Sequence, residues 1–151
     1  MTYKEIMLKA QSCPITNEDE FDAFIDDLAE AVEDVNLSLA ERSGLIKQLL
    51  LNIEKQEELE FTSWSLIHFI ESLDQDDFTN YNSLLLESLK RKPKFLNLLL
   101  VNRLLNSLPS MAGNRTMFLV ALKEVACNYS FEEIVRNKAN EFHEYQMNKK
   151  D

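Results

Sequence analysis

Apolar residues recur along this chain at intervals of three and four, the spacing that lines one face of a helix. Residues 2–11 predict a short first helix with Ile6, Met7 and Ala10 along one edge, broken at Cys13-Pro14. A second helix starts near Thr16 or Asn17, either of which can cap it. Its apolar stripe is Phe21, Phe24, Ile25, Leu28, Ala31, Val32 and Val35. Ser38-Leu39-Ala40-Glu41 has the form of a capping box and opens a third helix through Leu45, Ile46, Leu49, Leu50 and Ile53. The acidic run 54–60 reads as a loop or a frayed end. Thr62 or Ser63 caps a fourth helix carrying Trp64, Leu66, Ile67, Phe69, Ile70 and Leu73, and 74–77 is a polar turn. A fifth helix, 78–90, presents Tyr81, Leu84, Leu85, Leu86 and Leu89. The cations Lys90, Arg91 and Lys92 end it, where they favour the negative end of the helix dipole.

The stretch 93–108 breaks the one-face rule. Nine of its sixteen residues are large and apolar, and they fall on almost every side of a helix. Such a helix must be covered on two or more faces. Pro93 suits its first turn and Pro109 stops it. Residues 110–114 read as a loop, and 115–127 as a helix with Met117, Phe118, Val120, Ala121, Leu122 and Val125. Ser130-Phe131-Glu132-Glu133 repeats the capping-box form ahead of a last helix with Ile134, Val135, Ala139, Phe142 and Tyr145. Residues 68–73 resemble 103–108, thirty-five positions on, and Leu86 and Leu89 precede Leu122 and Val125 by thirty-six. That is the period of stacked helical hairpins.

Composition points the same way. Only 2 Gly and 3 Pro punctuate 151 residues, too few for a turn-rich β fold. The expectation is one all-α domain over 1–151 with seven or eight helices: antiparallel hairpins stacked as a short HEAT-like α-solenoid, or an irregular bundle. Cys13 and Cys127 stand too far apart for a zinc or redox pair and read as idle thiols of a reducing cytosol. The amino terminus lacks the apolar core of a signal peptide, so the expected location is the cytoplasm.

Charge divides the chain. Residues 1–77 hold 19 acidic and 5 basic side chains, a net of −14; residues 78–151 hold 7 and 11, a net of +4. A total of −10 disfavours nucleic acid and anionic membranes as partners, since both demand a basic face. The acidic residues Asp22, Asp26, Glu30, Glu33, Asp34, Glu57, Glu58, Asp74, Asp76 and Asp77 are the candidate binding surface for a basic protein. Clustered carboxylates speed encounter with a cationic partner and reject anionic ones. Nucleases and other toxins directed at nucleic acid are such partners, because their own sites must be positive to hold phosphate.

Little points to catalysis. Two glycines cannot build a phosphate loop, His68 and His143 are far apart, and no serine lies in a nucleophile-elbow motif. No catalytic residue, cofactor or metal site is expected. Trp64 reads either as a core anchor or as an exposed aromatic at an interface. Asn102, Arg103 and Asn106 read as a polar network between helices or as the floor of a concave surface.

The run from Trp64 through Leu66-Ile67-His68-Phe69-Ile70-Glu71-Ser72-Leu73, then Tyr81 with Leu84-Leu85-Leu86-Glu87-Ser88-Leu89, then Lys92-Pro93 and Asn102-Arg103-Leu104-Leu105-Asn106, resembles the immunity protein 30 family. These are small helical immunity proteins of bacterial polymorphic-toxin and contact-dependent inhibition systems. The resemblance covers about residues 60–145 and leaves out the acidic amino-terminal third. It implies a cytosolic, non-enzymatic antidote that binds a cognate toxin domain and blocks its active site or substrate access; the expected state before binding is a monomer. It carries over no catalytic residues. A helical-repeat adaptor for another protein, and a small helical enzyme, are the competing expectations.

Overall fold

The computed structural model describes residues 1–13, 17–56, 61–74, 78–108 and 112–149. They form eight helices and, among the described residues, no strand: α1 (Tyr3–Gln11), α2 (Glu18–Glu33), α3 (Leu39–Lys55), α4 (Trp64–Leu73), α5 (Phe78–Arg91), α6 (Phe95–Ser107), α7 (Gly113–Cys127) and α8 (Glu133–Asn148). The expected Pro14 break, the Thr16 cap, the loops within 57–60, 75–77 and 110–111, and the Pro109 stop lie outside the described residues.

Side chains close the early helix starts. Thr2 Oγ1 accepts the Glu5 N–H at 3.2 Å while the Glu5 carboxylate accepts the Thr2 N–H at 2.9 Å. Asn17 accepts from Glu20 at 2.9 Å, and Ser38 and Glu41 complete the expected reciprocal box at 3.2 and 3.0 Å. Each cap pairs a donor that the first turn would otherwise leave open.

The chain divides into two compact units, Met1–Leu84 and Leu85–Asp151, with the boundary inside α5. In the first unit α1 packs on α2 and α3, and α4 packs on α2 and α3. Near its start α1 lays Tyr3 against Gly44 of α3, where any Cβ would collide with the phenol hydroxyl. Near its end the Ala10 carbonyl accepts from Asn52 Nδ2 at 2.7 Å, so α1 and α3 run parallel. The helices α2 and α4 are also parallel: Ser63, which caps α4, donates to Asp22 Oδ1 at 2.7 Å near the start of α2, and their far ends share a recess. Ile6, Phe21, Ile25, Leu28, Leu45, Ile46, Leu49, Leu50, Ile67 and Ile70 form this unit's core, each at most 2% exposed.

The second unit repeats the scheme. Lys138 of α8 lies 5.6 Å above the Phe95 ring at the start of α6, and Gln146 bonds Asn102 and Asn106 near the end of α6, so α6 and α8 are parallel. Arg115, at the start of α7, donates to the Leu105 carbonyl at 3.1 Å and the Gln146 carbonyl at 3.0 Å, so α7 runs against both. In each unit like helices therefore stack on like, two positions apart in chain order. The bonds that align them span 41, 42 and 44 residues, longer than the thirty-five or thirty-six of the visible repeat. Leu89 and Val125, a pair from that shorter repeat, line one recess.

As expected, the all-round apolar helix α6 is covered by both α7 and α8. Several other expectations need correction. Pro93 is buried but lies ahead of α6; Asn97 Oδ1 accepts the Lys94 N–H at 2.6 Å and sets the helix start there. Glu54 and Lys55 belong to α3, and Glu54 is buried. The second capping box does not form: Asn128 Oδ1 takes both the Ser130 N–H (3.0 Å) and its hydroxyl (2.7 Å), and α8 begins only at Glu133. The buried face of α8 is also rotated. Ile134 and Tyr145 are exposed, and the amide of Gln146 is inside. On α7, Met117 and Val120 face solvent.

Candidate docking surface

The α2 sequence from Glu18 to Glu33 contains no Lys or Arg, and neither does α4. Of the two, α2 carries eight carboxylates and α4 one, Glu71. Asp19, Asp22, Asp26, Glu30 and Glu33 follow one another by three or four residues, which confines them to about 80° of arc at 100° per residue. The stripe flanks the buried face of Phe21, Ile25, Leu28 and Val32, and its members other than Asp22 are exposed. Lys9 of α1 sits 5.6 Å above the Phe24 ring, on the flank of α2 away from the stripe.

The expected site residues separate into three groups. Asp26, Glu30, Glu33 and Asp34 are exposed, three of them on the stripe and Asp34 at its foot. Asp22 is half-buried and has a structural task, since it accepts the hydroxyl of the fully buried Ser63, whose oxygen in turn accepts the Leu66 N–H at 3.2 Å. Asp74 is half-buried at the carboxyl end of α4. Glu57, Glu58, Asp76 and Asp77 lie outside the described residues. Asp19 was missed, although its helical spacing from Asp22 marks it.

At the foot of the stripe, the carboxyl ends of α2 and α4 meet in an open recess of about 470 Å³. Its lining includes Val32, Glu33, Asp34, Arg42, Phe69 and Ser72. Two helix ends of negative polarity and two carboxylates favour a cation there. Arg42 reaches it from α3, and its buried Nε has no hydrogen-bond partner among the described residues.

Trp64 is not the core anchor of α4; its side chain is 49% exposed. It is the first residue after the Ser63 cap, and its ring stacks on His68 with centroids 6.0 Å apart and planes 28° from parallel. Leu66, Ile67, Phe69, Ile70 and Leu73 fill the buried face instead.

In the second unit Asn102 and Asn106 join a polar network, as expected, and Gln146 and Arg115 add to it. Gln146 Nε2 donates to Asn102 Oδ1 and Asn106 Oδ1, both at 2.8 Å, and Arg115 Nη2 donates to Gln146 Oε1 at 3.2 Å. Arg115 joins this network because α7 starts where α6 ends, and Lys149 Nζ also donates to Asn106 Oδ1 at 3.2 Å. The network ties three helices together.

Burial pushes the Cys13 thiol up to about 11, which keeps it protonated and poorly nucleophilic at neutral pH. Burial, and then the Glu41 carboxylate, raise the Tyr3 phenol. Among the described residues no three His, Cys, Asp or Glu side chains converge as a metal site. No described helix is long and apolar enough to cross a membrane. Searches against protein-family models, curated proteins and solved structures return no match to this chain.

Proposed function

We propose that the chain is a cytoplasmic, non-catalytic immunity protein that neutralises a cationic toxin domain by covering it, with the α2 face of the first unit as the docking surface. The observation that carries the reading is the row Asp19, Asp26, Glu30 and Glu33, exposed along one side of a helix without a cation. Residues 78–84 are uncharged, so the first unit holds the full net charge of −14. That field attracts a basic protein from a distance and repels nucleic acid, the toxin's own substrate class. The assignment to an immunity role rests on the family resemblance of residues 60–145; the charge supplies the mode of binding.

The test is co-purification with the product of the adjacent upstream gene, followed by association kinetics across a salt series. The on-rate falls steeply with salt, and reversing Asp26, Glu30 and Glu33 together to Lys lowers it roughly ten-fold or more at low salt. Asp22 is left intact because of its bond to Ser63. An on-rate indifferent to both salt and reversal moves the interface off α2. Failure to bind that product, with capture of a basic partner of another kind, favours the adaptor reading.

A further inference from the structure

The solvent face of α4 carries an aromatic feature that the acidic stripe does not require. Trp64, His68 and Glu71 stand at successive turns of the helix. The Trp64 ring is half exposed and stacked on His68, and His68 Nδ1 lies 3.9 Å from Glu71 Oε1. A tryptophan left half in water sheds little apolar surface on folding and gains more when something covers it. Its position is not accidental to the stripe. The bond from Ser63 to Asp22 holds the first residue of α4 beside the first turns of α2, and the parallel course keeps the two faces side by side to the recess at their far ends.

Across both helices the only side chains of positive or potentially positive character is the imidazole of His68, against Glu18, Asp19, Glu20, Asp22, Asp26, Asp27, Glu30, Glu33 and Glu71. An electron-rich indole face in such a field suits a planar cation. A guanidinium stacks on tryptophan, is more weakly hydrated than an ammonium, and keeps its N–H donors free at the edge for carboxylates. A lysine offers the charge without the plane.

We propose that Trp64, backed by His68, is the anchor of the docking surface and receives an arginine side chain of the basic partner, whose flanking cations lie along the α2 stripe. This rests on the proposed role of the acidic face and adds to it a discrimination between arginine and lysine, which charge alone does not provide.

Trp64 is the sole tryptophan, so its emission reports this position and no other. The experiment titrates the full chain with a fluorescein-labelled ten-residue arginine peptide for affinity, and with its unlabelled form for Trp64 emission; a lysine peptide of equal length and charge serves as control. The wild-type chain binds the arginine peptide more tightly, with a change in Trp64 emission. Trp64→Ala weakens the arginine peptide roughly two- to five-fold, leaves the lysine peptide nearly unchanged, and preserves the salt slope. Trp64→Phe restores part of the preference, and the melting curves of both variants show that the fold is intact. Reversal of Asp26, Glu30 and Glu33 to Lys weakens both peptides and flattens the salt slope. If that reversal acts but Trp64→Ala binds the arginine peptide like wild type and the wild-type Trp64 emission does not change on binding, the anchor is overturned and the acidic face stands. If the reversal changes nothing, the acidic face falls and the anchor with it.

Discussion

The two units stack their helices alike but handle polar groups in opposite ways. The first keeps most of its described carboxylates at the surface, with Glu54 the buried exception, and ties like helices with single bonds at their edges, Ser63 to Asp22 and Asn52 to the Ala10 carbonyl. The second takes polar side chains into its interior. Asn97 is fully buried and holds Lys94, Ser88 and the Lys92 carbonyl, and Gln146, only 2% exposed, gathers Asn102, Asn106 and Arg115. A buried, satisfied network specifies one register between helices, because any other leaves a donor or acceptor dry and unpaired. Exposed charge specifies nothing inside; its repulsion weakens the unit slightly and its field acts on what approaches. One unit is thus built for internal precision and the other for an outside encounter.

The comparison breaks most visibly at Gln146. Gln146→Leu keeps the volume but removes the side-chain bonds to Asn102, Asn106 and Arg115, and lowers stability by about 1–3 kcal/mol in denaturant unfolding, with loss of hydrogen-exchange protection concentrated in α8. A cost no larger than that of an ordinary surface change would show that the network is decorative. The edge tie of the first unit costs less. Ser63→Ala removes a helix cap and the partner of Asp22, and lowers stability by about 1–2 kcal/mol in the same assay.

The smallest effect is a pH dependence. The Cys13 thiol ionises near 11 in the folded chain against 9.0 for an ordinary thiol. Between those values the unfolded chain has lost the proton that the folded one keeps, so stability falls as pH rises through the window. Because the group is partly exposed, the decline attributable to it is under about 1 kcal/mol. Melting curves of wild type and Cys13→Ala at pH 8 and pH 10.5 isolate it: the two lie closer together at the higher pH than at the lower. A constant gap would remove burial as the cause.

The helices, most of their buried faces and the acidic stripe were legible in the chain itself. Spacing by three and four determines which side of an amphipathic helix turns inward, and a chain with two glycines and three prolines has few ways to be anything but helical. Ser38 with Glu41 could be read because a capping box is settled within four residues. Ser130 with Glu133 could not, because Asn128 competes for the same serine and wins. Trp64 was open to two readings because its helix is apolar on most of its surface, so its spacing alone did not assign it to the core or to solvent. Tertiary packing alone decided that Arg115 joins the network, that Gln146 is buried where Tyr145 was expected, and that Asp22 serves Ser63 instead of the surface. Those outcomes depend on which helix lies across from which, and such partnerships join residues some forty positions apart, where local periodicity carries no information.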